Sequence, residues 1–261
     1  MYFDTHAHYC DKRFDDDRVE LLSSMPDAGI SLIVDSGCSV TSSKQCLELA
    51  DRFPFIYASV GVHPHDASTK TDDTISDLEK LLSHPKAVAV GEMGLDYHYD
   101  FSPRDEQRKC FHEQLELARF LKKPVIIHMR EASCDTLDIV RNYGDITGVF
   151  HCYSGSWETA QVILDMGWYI SFTGVITFKN ARRALEIIEK MPFDRLMLET
   201  DCPYLAPEPM RGRRNNSLFL PYIAEKVADI RGIAVEEVAA QTMENGMRFF
   251  GINSDGIITG C

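Results

Sequence analysis

Two histidines near the amino end of the chain stand one residue apart in the stretch YFDTHAHYCD, residues 2–11. The stretch begins like a buried strand, and in a strand alternate side chains point to the same face. His6 and His8 are therefore expected to share a face. A single histidine at a strand end is more often structural than a metal ligand, so the rest of the sequence decides between the two interpretations.

More ionisable residues stand at the ends of other apolar runs. They are His63 and His65, Glu92 and Asp96, His128, His151, and Glu199 and Asp201. Gathering so many desolvated titratable groups without a counter-charge would be costly, whereas a cation satisfies neutral imidazole and ionised carboxylate together. Because the donor atoms are nitrogen and oxygen, the set suits Zn²⁺, Mn²⁺, Fe²⁺ or Mg²⁺ and excludes a structural four-cysteine site.

These candidate ligands exceed what one catalytic ion needs. One hypothesis divides them between two ions that share a bridging carboxylate, an arrangement that can activate a water and hold the oxygens of a phosphoryl group. Its members are His6, His8 and Asp201 for one ion, His128 and His151 for the other, and Glu92 for the bridge. Cys10, Cys152 and Cys202 lie one or two residues from proposed ligands, but we expect no thiolate ligand. Cys152 and Cys202 in particular are offset by one residue, which turns them to the opposite strand face.

The elements that must position these residues alternate regularly along the chain. Eight apolar runs, rich in β-branched residues, are separated by helix-like stretches such as residues 103–121, whose apolar residues recur every three or four positions. The runs span residues 2–8, 30–37, 55–63, 87–96, 124–130, 148–154, 168–174 and 196–203. Such alternation implies parallel strands with right-handed crossovers, and eight units predict an α/β fold of the (β/α)₈ TIM-barrel type. No G-x-G-x-x-G turn follows the first run, which disfavours an open dinucleotide-binding sheet.

No linker or low-complexity tract divides the sequence. We therefore expect a single barrel domain over residues 1–251, completed by helical stretches at 218–231 and 235–250, the second of them an extra C-terminal helix. Residues 252–261 show no strong pattern and are expected to form a loose tail. In barrels of this type the active site lies at the carboxyl ends of the strands, which is where the ionisable residues fall.

Composition and charge exclude several classes of protein. The net charge of -13 argues against broad non-specific binding to nucleic acid, which needs a positive surface. The chain has no 18-residue apolar run and no basic N-terminal segment leading into an apolar one, so neither a membrane span nor a signal peptide is predicted. The scattered cysteines are expected to be reduced thiols. We expect a cytoplasmic protein without membrane association and without an obligate protein partner.

Taken together, the motifs resemble the TatD-related family of metal-dependent deoxyribonucleases, a branch of the amidohydrolase-like barrel enzymes. The matching stretches include FDTHAHY, GVHPHDA, GEMGLDYHYDFSPRDEQ, FHEQLELARFLKKPVIIHMREA, GVFHCYSGS and LMLETDCPYLAPEPMRGRRNN. The resemblance implies a (β/α)₈ fold, divalent-cation dependence and 3′ to 5′ exonuclease or related phosphodiesterase activity on DNA. It also implies a set of metal ligands, namely His6, His8, Glu92, His128, His151 and Asp201. We therefore expect two divalent cations, Mg²⁺, Mn²⁺ or Zn²⁺, and DNA as substrate, as single strands or 3′ ends.

Three residues depart from the family's usual pattern. Tyr9 stands where leucine is usual, Tyr153 where phenylalanine is usual, and Ser217 where proline often occurs. None of the three is a ligand position, so the departures bear on substrate detail rather than on the chemistry.

The expected mechanism is attack on a phosphodiester phosphorus by a water whose pKa is lowered by the cations. Asp201 is the preferred base because it matches the family position, and Glu92 is expected to be catalytic as the bridge. Glu199 is either an alternative base or a residue that orients a ligand.

Residues near the expected site are candidates for substrate contact. Guanidinium groups suit phosphate because they donate paired hydrogen bonds, although a solvated basic turn explains the loop arginines equally well. The candidates are His63, Arg130, Arg211 and Arg214, with Arg213 beside them. Tyr97, Tyr99 and Tyr153 can stack on bases or simply pack.

Two other functions stay open at this point. Two-metal barrels serve many reactions, so an amidohydrolase or esterase acting on a small amide, lactone or aminoacyl ester is the nearest alternative. Glu92 stands where several amidohydrolases use a modified lysine, which favours the deoxyribonuclease branch. A non-catalytic metal-binding or nucleic-acid-binding module is the other alternative, and both the complete ligand set and the acidic charge argue against it.

Overall fold

The computed structural model of the chain describes residues 1–253, so all but the first two residues of the expected tail, 252–261, lie outside the described part. Within residues 1–253, eight parallel strands form one sheet in chain order. The strands are Tyr2–Ala7 (β1), Ile30–Ser36 (β2), Ile56–Val60 (β3), Ala87–Asp96 (β4), Val125–Arg130 (β5), Gly148–Phe150 (β6), Tyr169–Phe172 (β7) and Leu196–Leu198 (β8). The α-helices are Arg18–Ser24 (α1), Val40–Arg52 (α2), Thr74–Leu82 (α3), Arg104–Leu121 (α4), Ser133–Val140 (α5), Trp157–Asp165 (α6), Arg182–Lys190 (α7), Leu220–Arg231 (α8) and Val235–Phe250 (α9).

The first and last strands of the sheet meet, which makes the sheet a barrel. The backbone N–H of Asp201 donates to the carbonyl of His6 (3.0 Å), and the N–H of His8 donates to the carbonyl of Cys202 (2.8 Å). A helix follows each strand, and α9 comes after the eighth such unit. The predicted TIM barrel with an extra C-terminal helix is therefore confirmed. Among residues 1–253, no helix is long and apolar enough to span a membrane.

Apolar side chains near the starts of the strands fill the amino end of the barrel, and α9 covers it. The ring of Phe250 lies 5.7 Å from that of Phe3 in β1, and the ring of Phe249 lies 5.2 Å from that of Tyr169 in β7. These rings belong to one buried cluster, together with Ile126 and the other strand residues of that layer. The amino end is thereby closed, which leaves the carboxyl ends of the strands for a functional site.

Helix α4 fixes the ends of two strands through buried glutamines. Gln107 accepts a hydrogen bond from the backbone N–H of Asp96 (2.9 Å) and donates one to its carbonyl (3.1 Å). Gln114, two turns later, makes the same pair of bonds with Val62 (2.8 and 3.0 Å). A carboxamide carries both a donor and an acceptor, so it replaces a neighbouring strand as partner. The chain next to β3 and the end of β4 is thus held in place from the helix layer.

Strands β6 and β8 end earlier than their apolar runs predict. They end at Phe150 and Leu198 rather than at positions 154 and 203. Just beyond them, Cys152 and Asp201 have positive φ angles of 44° and 54°, which a strand does not accommodate. Asp201 therefore lies on the loop after β8, and the strand alternation assumed for Glu199 and Asp201 does not extend to them.

Candidate metal centre

A pocket of about 1020 Å³ opens at the carboxyl ends of the strands. It is lined by many of the side chains that the sequence singled out, which come from the ends of six strands or from the loops that follow them. They are His8, His63, Glu92, His128, Arg130, His151 and Asp201. His6 is fully buried and lies against Glu92.

Glu92 is central because its two carboxylate oxygens face different histidines. Oε2 lies 3.2 Å from Nε2 of His6 and 3.5 Å from Nε2 of His8. Oε1 lies 2.9 Å from Nδ1 of His128 and 2.7 Å from Nε2 of His151. The structure thus brings together two groups of donor atoms that share one carboxylate. We call them the first cluster, consisting of His6, His8, Glu92 and Asp201, and the second cluster, consisting of Glu92, His128 and His151.

The spacing of the first cluster fits a divalent cation. Nε2 of His6 and Nε2 of His8 are 3.1 Å apart, and Oδ1 of Asp201 lies 3.3 Å from His8 and 3.9 Å from His6. Donors that share a cation at about 2.0–2.2 Å lie on the order of 3–3.6 Å from one another. His6, His8 and Glu92 form one of the groups in residues 1–253 whose donor atoms are close enough to hold an ion.

Ser36, the last residue of β2, fixes the orientation of both histidines. Its carbonyl lies 2.9 Å from Nδ1 of His8, and its hydroxyl lies 3.2 Å from Nδ1 of His6. A carbonyl only accepts, so Nδ1 of His8 carries the proton and Nε2 presents a lone pair to the cluster. Lone pairs facing ionised carboxylates in a buried place need a cation, so these residues fit a metal ion.

In the second cluster, too, each histidine has a polar group behind its ring. Nδ1 of His128 and Nε2 of His151 are 3.3 Å apart. The outward nitrogen of His128 lies 3.1 Å from Oδ2 of Asp96, and that of His151 lies 3.3 Å from Oε1 of Glu199. Histidine ligands commonly direct their second nitrogen to a carboxylate, which orients the ring and raises its basicity.

The charges of the two clusters depend on one another. Burial by itself would raise the pKa of Glu92, but the imidazoles of His151 and His63 outweigh it and hold that pKa well below its usual range. Burial would likewise lower the pKa of His151, but Glu92 and Glu199 raise it well above its usual value. Without a cation, His151 therefore compensates the carboxylates by holding a second proton. A bound cation replaces that proton.

His63 lies beside the second cluster but differs from its histidines in tautomer. Nε2 of His63 is 3.4 Å from Oε1 of Glu92, whereas Nδ1 accepts a hydrogen bond from the backbone N–H of His65 (3.1 Å). Burial lowers the pKa of His63 to about 4, so the ring is neutral near pH 7. With Nδ1 occupied as an acceptor, the single proton of the neutral ring is on Nε2. His63 therefore presents an N–H donor to the pocket rather than a lone pair.

Glu199 lies behind His151 and is almost fully buried, at 1% exposure. Its Oε1 accepts from the backbone N–H of Cys152 (2.6 Å), and its Oε2 accepts from the hydroxyl of Ser171 (2.6 Å). The 3.3 Å separation from Nδ1 of His151 is an ion-pair distance without hydrogen-bond alignment. Unlike Asp201, Glu199 is not part of the pocket lining.

The structure separates the predicted arginines. Arg130 lines the pocket, but Arg211 and Arg214 do not. The guanidinium of Arg214 donates to the carboxylate of Asp17 (2.8 Å), and that of Arg211 lies 4.1 Å from the centre of the Phe178 ring. Their expected place beside the metals is corrected because the loop after β8 turns them toward other partners.

Of the aromatic residues predicted to contact substrate, only some line the pocket. Tyr99 lines the pocket, whereas the hydroxyl of Tyr97 donates to Asp135 (2.6 Å), and Tyr153 is buried. Phe101 and Tyr204 line the pocket as well, and neither was a candidate site residue although both lie in stretches that match the family. Ser36 was also missed, and the available signal was only a polar residue at the end of a β-branched run.

Tyr9 and Ser217, two of the departures from the family pattern, contact each other. The Tyr9 hydroxyl accepts a hydrogen bond from the backbone N–H of Ser217 (2.9 Å) and lies 2.8 Å from its Oγ. A proline at position 217 has no N–H to donate, and a leucine at position 9 has no hydroxyl to receive it. The two departures therefore compensate each other. The third, Tyr153, donates its hydroxyl to the carbonyl of Ser156 (2.8 Å).

A third group of donor atoms, outside both clusters, consists of Cys10, Asp35 and Cys46. The Cys10 thiol donates to Oδ2 of Asp35 (3.2 Å), and Oδ1 of Asp35 accepts from the backbone N–H of Tyr9 (2.6 Å). The carboxylate is thus satisfied by donors from the chain itself.

Comparisons with known proteins agree with the fold and with the nature of this centre. The family model described as TatD related DNase matches residues 3–251. The chain is 40% identical over 255 residues to a protein of Bacillus subtilis (strain 168) named uncharacterized metal-dependent hydrolase YabD, covering 97% of this chain and 100% of that protein. It is 37% identical over 260 residues to a protein of Erwinia tasmaniensis named 3′-5′ ssDNA/RNA exonuclease TatD, covering 96% and 100%.

A solved structure shares the barrel. The crystal structure of YJJV, a TatD homolog from Escherichia coli K12, superposes with a TM-score of 0.91 at 27% identity, covering 97% of this chain and 98% of that one. The family model spans every residue of both clusters, and the two relatives each match nearly the whole chain. This chain is therefore a metal-dependent hydrolase of the TatD-related DNase family.

Proposed function

We propose that the chain hydrolyses phosphodiester bonds at the 3′ end of single-stranded DNA, with two divalent cations as cofactors. The observation that carries this proposal is the placement of Glu92, whose two oxygens each face a separate group of imidazole nitrogens. A carboxylate shared in this way suits a pair of cations, and paired cations suit the displacement of one oxygen by another at phosphorus.

Each cation has its own set of protein donors. The first would be held by His6, His8, Asp201 and Glu92, and the second by His128, His151 and Glu92. When bound, the pair supplies Lewis-acid polarisation of the phosphoryl oxygens and lowers the pKa of water in the site. The choice among Mg²⁺, Mn²⁺ and Zn²⁺ is a matter for titration, because nitrogen and carboxylate donors accept all three.

The chain's own residues then have distinct tasks. Asp201 lines the pocket, and its side chain keeps 15% of its surface exposed, so its carboxylate can take the proton from the attacking water. Glu199 is assigned as a positioning residue, since it is buried behind His151 and already accepts two hydrogen bonds. His63 is assigned to the substrate, because its Nε2–H points into the pocket next to Glu92.

The choice of a single-stranded 3′ end rests on the relative named 3′-5′ ssDNA/RNA exonuclease, which is 37% identical to this chain. One feature of the pocket supports it. Arg130 is the one arginine or lysine in the pocket lining that residues 1–253 provide. Such a site suits the end of a strand better than a duplex, whose many phosphates call for an extended positive surface.

A substrate panel tests this function. The metal-loaded protein should release nucleotides from single-stranded DNA and leave small amides, lactones and aminoacyl esters intact. The Asp201→Asn variant should lose this turnover while its thermal unfolding stays cooperative. Hydrolysis of an amide or lactone by a protein that leaves every oligonucleotide intact would replace the proposal with an amidohydrolase function.

Two matched arginine variants test which side chains contact the substrate. Arg130→Ala should raise the KM for DNA, because Arg130 is the pocket's cationic side chain. Arg211→Ala should leave the KM unchanged, because that side chain packs on Phe178 outside the pocket. A raised KM for Arg211→Ala with an unchanged KM for Arg130→Ala would show that the loop after β8 contacts the substrate.

A further inference from the structure

Two aromatic rings form a stacked pair at the mouth of the pocket, in the loop between β4 and α4. The rings of Tyr99 and Phe101 are 5.2 Å apart, with an angle of 21° between their planes. Both line the pocket, although Phe101 is 66% exposed and Tyr99 46%. Exposed aromatic surface next to a site of polar side chains is unfavourable in water and is characteristic of a surface that binds a ligand.

Side chains of the pocket contact the pair from below. His65 contacts both rings edge-on, at 5.4 Å from Tyr99 and 4.8 Å from Phe101. The guanidinium of Arg130 lies 4.8 Å from the centre of the Tyr99 ring. The rings are thus supported by side chains of the pocket instead of projecting freely into solvent.

The same histidine ties the pair to the metal centre. Nε2 of His65 lies 2.9 Å from Oδ2 of Asp96, and the same oxygen lies 3.1 Å from Nε2 of His128. Asp96 is fully buried, and its backbone is held by Gln107. The distance between the aromatic pair and the second cluster is therefore set by packed and hydrogen-bonded groups.

We propose that Tyr99 and Phe101 form a stacking platform for a nucleobase next to the scissile phosphodiester. This inference rests on the proposed function and adds a base-binding subsite to it. A base offers a flat face of the size of these rings, and its phosphate would then lie toward Arg130 and the clusters. Stacking tolerates every base, so the subsite holds a strand end without selecting its sequence.

The charge of the protein favours this occupant. The net charge of -13 disfavours holding a nucleic acid through many phosphate contacts. Affinity that does not depend on phosphate charge must then come from the bases. The stacked pair supplies flat apolar surface for this purpose at the pocket mouth.

The test compares Phe101→Ala with Phe120→Ala. Phe120 is 73% exposed but lies near the end of α4, outside the pocket lining, so its variant controls for the loss of an exposed ring. Phe101→Ala should raise the KM for single-stranded DNA by about 5- to 100-fold, the range of one base–aromatic contact, with kcat less affected. Phe120→Ala should leave both constants unchanged.

Abasic substrates show which nucleotide of the strand places its base on the platform. Two oligonucleotides are compared, one lacking the base of the last nucleotide and one lacking that of the next-to-last. The wild type should cleave one of the two more slowly than the intact oligonucleotide, and this difference in rate should vanish in Phe101→Ala. Fluorescence of 2-aminopurine at that position, measured with the inactive Asp201→Asn protein, should be quenched on binding, and less so when Phe101 is also replaced.

The outcomes separate the two proposals. If the wild type cleaves DNA and Phe101→Ala behaves like Phe120→Ala with both abasic substrates, the platform is wrong and the nuclease function stands. If the wild type cleaves no oligonucleotide and quenches no 2-aminopurine, both are wrong.

Discussion

Histidines at the ends of the barrel strands do different things, and the atom behind each ring decides which. His128 directs one nitrogen to Asp96, which leaves the other free to face Glu92 and a cation. His63 accepts a backbone hydrogen bond instead, so its remaining nitrogen carries a proton toward the same carboxylate. Residue type alone does not distinguish a ligand from a donor, whereas the hydrogen-bond partner does.

The contrast between these histidines can be measured. His63→Ala should leave two bound cations per chain and lower kcat on the order of 100-fold, the effect of removing one well-placed hydrogen-bond donor. His128→Ala should bind one cation fewer. Metal content after gel filtration and turnover of the same samples check both. Loss of a cation in His63→Ala would make His63 a ligand.

Glu199 gives a second test at this scale. Glu199→Gln keeps the shape of the side chain but removes the charge that faces His151, so the affinity for one of the cations should fall about 10- to 100-fold. Titration calorimetry with Mn²⁺ measures this directly. Glu189→Gln, an exposed change on α7, is the matched control and should bind like the wild type. An unchanged affinity with abolished turnover would instead make Glu199 a base.

The grouping of the candidate ligands could be predicted from the sequence because residue types that bind metals are rare at strand ends. His6, His8, Glu92, His128 and Asp201 are brought together because the carboxyl ends of the strands, and the loops that follow them, meet at one end of a barrel. The partners of Ser36 and the tautomer of His63 could not be predicted, because they depend on which backbone groups lie behind each ring. Arg214 was misplaced for a similar reason, since its partner Asp17 is nearly 200 positions away.

Among the elements, strand β4 has the strictest requirements on its residues. It is buried along its whole length and supplies both Glu92 and Asp96. Gly94 lies between these two carboxylates, with a φ of 142°, and pairs with His128 of β5. A Cβ at position 94 would overlap the carbonyl oxygen of His128. Only glycine allows the two strands to approach so closely while both carry ligands.

Gly94→Ala should therefore damage stability and metal binding together. We expect a loss of about 3 kcal/mol or more in the free energy of unfolding, because a forbidden φ and a backbone clash coincide. Gly144→Ala is the matched control, since Gly144 has a φ of -68° and nothing near its missing Cβ. That control should be neutral or stabilising by about 0.4–1 kcal/mol. Urea unfolding measures both, and equal stabilities would contradict this role of β4.

The order of the elements could be predicted because hydrophobic periodicity is local. The ends of β6 and β8 could not, because the apolar pattern continues past the point where Cys152 and Asp201 leave the strand conformation. The glutamines of α4 were also hidden, since Gln107 and Gln114 look polar in the sequence yet lie on the buried face. Their role depends on backbone groups of other elements, which no local pattern reports.

The molecule as a whole is an acidic chain whose candidate metal centre lies at the carboxyl end of its barrel. The amino end is closed by α9, and the open end presents the clusters, Arg130 and the aromatic pair. With so few positive side chains at the open end, the binding of DNA should depend weakly on salt. In the proposed function, bound cations and the aromatic pair would take the place of a basic groove.

This weak dependence is a quantitative prediction. With one cationic side chain in contact with phosphate, the slope of log affinity against log monovalent salt should be about -0.7 for a single strand. The Asp201→Asn protein, titrated with fluorescent oligonucleotide at constant divalent metal, provides the measurement. A slope steeper than about -3 would require at least four phosphate contacts and a basic surface that the pocket lining lacks.

The two clusters around Glu92 are proposed to form a two-cation centre that shortens single strands from the 3′ end. Metal-stripped protein, given Mn²⁺ or Zn²⁺ at zero, one and two equivalents, should be incubated with a 5′-labelled single-stranded oligonucleotide and sampled over time. We predict no shortening at zero equivalents and a ladder of products, each one nucleotide shorter, that reaches its full rate at two. An intact oligonucleotide at two equivalents, or full shortening without metal, would contradict the claim.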